Sequence, residues 1–166
     1  MNRDHAYAVR VRWQGNLGRG TEHYRAYARA HDVTADGKLH VIAGSSDPAF
    51  HGDRERWNPE ELLLAALSQC HMLSYLHVAT KRGIVVTAYE DAATGTMRQE
   101  GDGGRFVEAV LRPVVTISAG DPQAALDAHH EASELCFIAS SVNFPVRHEP
   151  RIEFADPSHE AHSRVT

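Results

Sequence analysis

The clearest helix pattern in the sequence is NPEELLLAALSQCHMLSYLHVATK, residues 58–81. Asn58 suits the N-cap of a helix, Pro59 suits the first helical position, and Glu61 completes a capping box three residues after the cap. Gly83 suits the left-handed residue that follows a helix C-terminus. The pattern predicts one helix of about 24 residues, about 36 Å long at about 1.5 Å per residue.

This helix is apolar on almost all of its faces, which is typical of a buried helix. A helix of this length is too long for the centre of an isolated small domain. We therefore expect a second copy of the chain to cover part of it.

Alternating polar and apolar residues predict strands on both sides of the helix. Residues 6–13, 23–33 and 38–43 predict a small antiparallel meander with a hairpin turn at Asp36-Gly37. The elements predicted after the helix are two strands, a second helix and a last strand, at 84–92, 105–117, 121–141 and 146–154. A polar, glycine-rich turn is expected between the first two of these strands, and a frayed polar tail at 155–166.

The composition is that of one globular domain, because 166 residues with 42% hydrophobic and 23% charged residues are ordinary values. We predict a single domain over residues 1–166. A net charge of −5 disfavours nucleic-acid-binding domains, which usually carry a basic surface. No run reaches the about 18 consecutive apolar residues of a membrane span, and the N-terminus lacks the apolar core of a signal peptide. We expect a cytoplasmic protein with no nucleic-acid and no membrane partner.

The strongest candidates for chemistry are the two cysteines, Cys70 in the long helix and Cys136 in the second helix. Free cysteine is often a small buried hydrophobe, so both could be inert core residues. If the side chains meet, they form a dithiol. A peroxide would then oxidise the more reactive thiolate to a sulfenic acid, and the second thiol would condense with it to a disulfide.

Twelve histidines are unusual for this length, but their spacing gives little support to a metal site. His71 and His77 are six residues apart, and the adjacent His129 and His130 cannot share a helix face. Zinc held by the two cysteines and two histidines is chemically possible, yet no CxxC or HExxH pattern supports it. We expect scattered core and surface histidines, no metal and no bound cofactor.

Two segments resemble the OsmC/Ohr family, named for osmotically inducible protein C and organic hydroperoxide resistance protein. The first is RWNPEELLLAALSQC, residues 56–70, which has an Asn-Pro-Glu helix start and places Cys70 ten residues after Glu60. The second is CFIASSVNFPV, residues 136–146, which is similar to the second-cysteine motif except that Phe137 replaces the familiar proline. The order of predicted elements is also similar, so the resemblance covers nearly the whole chain.

The resemblance implies an α/β (α+β) OsmC-like fold, with antiparallel sheets around a long buried central helix in an intertwined homodimer. It implies a cysteine-based peroxidase that reduces organic hydroperoxides in oxidative or osmotic stress defence. A small or protein dithiol would be the external reductant. Cys70 matches the peroxidatic cysteine, Cys136 matches the resolving cysteine, and Glu60 matches a carboxylate that pairs with an arginine.

That arginine has four candidates, because its position differs between subgroups of the family. They are Arg19, Arg29, Arg54 and Arg56. Ten helical residues separate Glu60 from Cys70, which is about 15 Å along a straight helix. We therefore expect Glu60 to reach the Cys70 of a second chain.

A non-catalytic homodimer that binds a small molecule or a lipid in an apolar interface pocket is the alternative hypothesis. The distance between the cysteines discriminates between the two, because a disulfide needs Cα atoms within about 7 Å. Adjacent thiols favour the peroxidase, and well-separated thiols favour the binding protein.

Overall fold

The central helix forms where the sequence predicts it. The computed structural model describes residues 4–155, and helix α1 spans Pro59–Lys81. The Glu61 N–H donates to Asn58 Oδ1 at 2.8 Å, and the Asn58 N–H donates to Glu61 Oε2 at 3.3 Å, which completes the reciprocal capping box. Gly83 follows the helix in the left-handed conformation, with φ of 68°.

The chain divides within α1 into two compact units, Met1–Leu63 and Leu64–Thr166. The prediction of one domain over residues 1–166 stays a prediction. The tail predicted at 155–166 lies, from residue 156 onward, outside the described residues.

The first unit contains the predicted antiparallel meander, with strands in the order β1-β2-β3. The strands are β1 at Arg10–Trp13, β2 at His31–Thr34 and β3 at Ile42–Gly44. They are shorter than predicted, because most of 23–33 forms turns and irregular backbone. Arg29 stabilises this arrangement by donating hydrogen bonds to the backbone carbonyls of Tyr24 and Tyr27.

The second unit contains two three-stranded sheets, with the orders β4-β7-β9 and β5-β6-β8. The strands are β4 Val85–Asp91, β5 Thr94–Glu100, β6 Gly103–Leu111, β7 Pro113–Ala119, β8 Val146–His148 and β9 Arg151–Phe154. In each sheet the first pair is antiparallel and the second pair is parallel. The α/β class is confirmed, although the sheets of this unit are mixed rather than antiparallel throughout.

Strand runs in this unit pass from one sheet to the other at short breaks. The single strands predicted at 105–117 and 146–154 are each two strands, divided at Arg112 and at Glu149-Pro150. The glycine-rich segment predicted as a turn contains strand β5. The alternating pattern gave no sign of these breaks.

Arg112 connects the breaks through hydrogen bonds. Its backbone N–H donates to Asp91 Oδ1 at 2.6 Å, and its guanidinium donates to Thr94 Oγ1 at 2.7 Å and to Glu149 Oε2 at 2.9 Å. The Ser68 hydroxyl of α1 donates to the other oxygen of Asp91 at 2.5 Å. One polar network therefore joins the central helix to the points where the strands change sheets.

Helix α2 spans Pro122–Leu135 and begins at Asp121, whose carboxylate accepts a hydrogen bond from the Ala124 N–H at 2.7 Å. It ends well before the predicted limit near Ser141. Cys136 is its C-cap and has an extended backbone, and residues Ala139–Ser141 form a separate 3-10 turn.

The core of the second unit lies among α1, α2 and β7. Its buried members are Tyr75, Val78, Ala79, Ile84, Val115, Ile117, Ala125, Ala128 and Ala132. Only one face of α1 is buried, at Leu67, His71, Tyr75, Val78 and Ala79. The cover that a second copy would give the remaining faces stays a prediction. By length and composition α1 could also cross a membrane, and its Tyr75, Val78 and Ala79 pack in the core of the second unit.

Candidate active site

The side chains of the two cysteines interact with each other in the second unit, which the sequence had left open. Cys70 is midway along α1, and Cys136 caps the C-terminus of α2. Both thiols are free; Cys70 is partly exposed, whereas Cys136 is completely buried. The pair therefore has one thiol that a reagent can reach and one that is shielded.

The surroundings of Cys136 favour its neutral thiol. Burial first, and then the adjacent Cys70 side chain, raise the pKa of Cys136 to about 11. The Ala139 N–H points at Cys136 Sγ from 3.4 Å and acts in the opposite direction. Since a protonated thiol is a poor nucleophile, Cys136 is unsuited to attack a substrate first.

Glu60 lies in the first turn of α1, in the first unit. Its Oε2 atom is buried and has no hydrogen-bond partner among residues 4–155. A buried carboxylate oxygen is costly unless a donor pairs with it, so this position is suited to receiving a cation. Within the described residues, none of the four candidate arginines forms an ion pair with Glu60.

Arg19 and Arg29 each have local partners within the first unit. Arg19 pairs with Glu22. The Arg29 guanidinium lies 4.3 Å from the ring centres of both Tyr24 and Tyr27.

Arg56 and Arg54 lie in the loop before α1. Arg56 lies 3.9 Å from carboxylate oxygens of Asp32 and Asp53. Arg54 is exposed and forms no ion pair within the part of the chain that the structure describes. The partner of Glu60 therefore stays a prediction.

Three histidines of the second unit form a cluster that the sequence did not predict. His71 Nε2 and His129 Nδ1 share a hydrogen bond of 3.0 Å between α1 and α2. The ring of His148, from the end of β8, lies 4.2 Å from the His71 ring, and the Tyr75 ring stacks on His129 at 3.9 Å. The expectation of scattered histidines is wrong for these three residues.

The cluster is electrically neutral near neutral pH. Burial, followed by the neighbouring His148 and His129, lowers the pKa of His71 from 6.5 to about 3. Burial, followed by His148, lowers the pKa of His129 to about 4. Burial also lowers the pKa of His148, which Asp91 partly offsets.

Helix periodicity held a signal for two of these histidines. His71 lies four residues after Leu67 and four before Tyr75, on the buried face of α1. His129 lies four residues after Ala125 and three before Ala132, on the buried face of α2. Metal-binding motifs are recognised from pairs of residues within one helix. The His71–His129 contact is made between two helices, so no such motif reveals it.

The His71 and His129 rings are nearly parallel, at 18°, and the His148 ring is tilted by 34° against His71. Within residues 4–155, no group of three or more His, Cys, Asp or Glu side chains has the arrangement to hold a metal ion. The absence of a bound cofactor stays a prediction.

Residues 51–151 match the family model described as OsmC-like protein. This chain belongs to the OsmC-like family. The OsmC-like fold is likewise found in solved structures. One is an OsmC-like protein of unknown function from Vibrio cholerae, 32% identical, which covers 89% of this chain and 99% of its own, with a TM-score of 0.79. A comparison with curated proteins finds no match.

More distant structures share the fold at lower identity. An organic hydroperoxide resistance protein OsmC from Legionella pneumophila is 16% identical over 90% of this chain and 99% of its own, with a TM-score of 0.64. An organic hydroperoxide resistance protein from Elizabethkingia anophelis is 17% identical over 92% of this chain and all of its own, also with a TM-score of 0.64. At these identities the likeness establishes the fold alone.

Proposed function

We propose that this chain is a thiol-dependent peroxidase that reduces organic hydroperoxides in oxidative or osmotic stress defence. The observation that carries the proposal is the adjacency of the partly exposed Cys70 and the buried Cys136. Adjacent thiols were the arrangement that distinguishes a peroxidase from a non-catalytic binding protein. The fold shared with proteins described as organic hydroperoxide resistance proteins supports the same function.

Cys70 carries out the first step, because it is the more accessible thiol. Its thiolate attacks one oxygen of the hydroperoxide, the O–O bond breaks, and the departing alkoxide takes up a proton to become an alcohol. Cys70 is thereby oxidised by two electrons to a sulfenic acid. An arginine beside Cys70 would favour the thiolate and stabilise the charge on the departing oxygen.

Cys136 carries out the second step. Its sulfur attacks Cys70 Sγ, and the thiol proton leaves with the hydroxyl of the sulfenic acid as water. The product is a Cys70–Cys136 disulfide. An external dithiol then reduces this disulfide and is itself oxidised, which restores both thiols without metal, flavin or nucleotide. The raised pKa of Cys136 leaves the first attack to Cys70, and Cys136 gives up its proton only as its sulfur attacks the sulfenic acid.

The working unit in this proposal is a homodimer in which Glu60 of one copy and an arginine approach Cys70 of the other. Two features support it. Glu60 carries a buried oxygen that lacks a partner in the described chain, and an arginine would satisfy it with charge-assisted hydrogen bonds. The meander also exposes large apolar side chains such as Val11, which is 63% exposed. The cytoplasm, where thiols are kept reduced, is the proposed compartment.

The test is consumption of cumene hydroperoxide by the purified protein with a dithiol reductant. Cys70→Ser should abolish consumption. Cys136→Ser should allow a single turnover and then leave Cys70 oxidised beyond the sulfenic acid. Full activity in Cys70→Ser would show that the proposed chemistry is wrong.

A matched series of arginine variants identifies the partner of Glu60. Each of Arg19, Arg29, Arg54 and Arg56 is replaced by glutamine and by lysine, beside Glu60→Gln. For the arginine that pairs with Glu60, adding Glu60→Gln should cause no further loss of activity. The reason is that the effects of substituting the two members of one ion pair are not additive.

A further inference from the structure

The histidine pair between α1 and α2 lies close to both cysteines in the chain. His71 directly follows Cys70 on α1. His129 lies seven residues, about two helical turns, before Cys136 on α2. Their hydrogen bond of 3.0 Å therefore joins the two helices that carry the thiols.

Neighbouring rings restrict this pair on both sides. The His148 ring lies 4.2 Å from His71, and the Tyr75 ring lies 3.9 Å from His129. The Tyr75 hydroxyl, one turn further along α1, donates to the Ala125 carbonyl of α2 at 3.3 Å. Two successive turns of α1 are thus hydrogen-bonded to two successive turns of α2.

Directional contacts of this kind determine a helix register more narrowly than apolar packing does. A hydrogen bond requires a donor–acceptor distance of about 2.7–3.2 Å and a near-linear angle, whereas an apolar side chain of similar volume tolerates sliding. Disulfide closure is sensitive to such shifts, because it needs Cα atoms within about 7 Å and correctly directed side chains.

We propose that His71 and His129 are positioning residues whose hydrogen bond holds α2 against α1 so that Cys136 can close a disulfide with Cys70. The inference rests on the proposed function, since it assigns these residues to the second step of that cycle. This role requires no contact with the hydroperoxide or with the reacting sulfurs. Neutral rings suit this role, because two imidazolium ions at this distance would repel each other.

The experiment measures the stability of the Cys70–Cys136 disulfide directly. The full chain is equilibrated with buffers of reduced and oxidised glutathione, and the fraction of disulfide is determined by mass spectrometry. His129→Phe keeps an aromatic ring against Tyr75 but removes Nδ1. It should lower the equilibrium constant for disulfide formation about tenfold, which corresponds to the loss of one buried hydrogen bond.

Two further variants serve as rescue and control. His129→Asn restores a polar atom near the position of Nδ1 and should recover most of the equilibrium constant. His130→Phe places the same substitution at the adjacent position, where the histidine side chain is 85% exposed, and should leave the constant unchanged. Should His129→Phe fail to fold, His71→Gln and His71→Leu make the same comparison from the α1 side.

Rapid-mixing kinetics with cumene hydroperoxide distinguish positioning from general destabilisation. In His129→Phe the rate of Cys70 sulfenic acid formation should match that of the parent protein, while disulfide closure is about tenfold slower. Equal equilibrium constants for His129→Phe and the parent protein would overturn the inference. A parent protein that forms the disulfide in glutathione but consumes no hydroperoxide would instead overturn the proposed function, and the glutathione series would still decide the positioning role.

Discussion

The two compact units of this chain differ in what they bury. The second unit has its own core, in which Tyr75 and Ile117 are fully buried, and it contains both thiols and the histidine cluster. The meander of the first unit leaves all four residues of β1 exposed, and Leu39 is 94% exposed. The thiol pair therefore depends on packing within the second unit, whereas the meander exposes apolar side chains.

The same isoleucine-to-alanine substitution should destabilise the two units by very different amounts. Ile117→Ala, at a fully buried position of β7, should lower the free energy of unfolding by about 2–5 kcal/mol. Ile42→Ala, at a position of β3 that is 39% exposed, should cost less than about 2 kcal/mol. Denaturant titration of both variants measures the difference, and equal losses would remove the distinction between the units.

The exposed meander is tested next, through the state of association. Val11→Asp introduces a charge on an apolar side chain of β1, which should weaken a homodimer by about tenfold or more in Kd. Arg10→Asp introduces the same residue on the opposite face of the strand and should weaken it less. Sedimentation equilibrium over a range of concentrations measures both. A parent protein that stays monomeric at all concentrations would contradict the dimer.

Acid should destabilise the second unit through the histidine cluster. The folded pKa values of His71, about 3, and His129, about 4, lie below the unfolded value of 6.5, so the folded chain binds fewer protons. Stability is therefore complete above about pH 6.5 and falls as the pH drops toward 4, by about 1.4 kcal/mol per histidine for each pH unit. His148 faces His71, and Tyr75 faces His129. Behind them, Asp91 acts on His148 and Tyr89 lies against Tyr75.

Unfolding titrations between pH 7.5 and pH 5 test this slope. His129→Asn removes one titrating ring and should flatten the dependence. His130→Asn removes its exposed neighbour and should leave the dependence unchanged. An identical slope in both variants would show that the acid sensitivity arises elsewhere in the chain.

The sequence predicted local features well and long-range contacts poorly. The α1 limits follow from Asn58, Pro59 and Gly83, because caps and turns are properties of neighbouring residues. The division of 105–117 at Arg112 was not predictable from alternation, because it depends on contacts with Asp91 and Glu149 far along the chain.

The candidate site follows the same rule. The resemblance identified the family from two motifs, and the residues alone could not show whether Cys70 and Cys136 meet. The His71–His129 contact was missed because its members are 58 residues apart and lie on different helices. Glu60 and its arginine stay predictions, since their proposed contact involves a second chain.

In the proposed cycle Cys70 and Cys136 form a redox pair within one chain, and the product of a single turnover shows whether they do. The reduced protein is treated with one equivalent of cumene hydroperoxide, the remaining thiols are blocked, and peptides are analysed by mass spectrometry without reduction. We expect a Cys70–Cys136 disulfide within the monomer and one molecule of alcohol per disulfide. Recovery of Cys70 as sulfinic or sulfonic acid with Cys136 still a free thiol, or of both thiols unchanged, would contradict it.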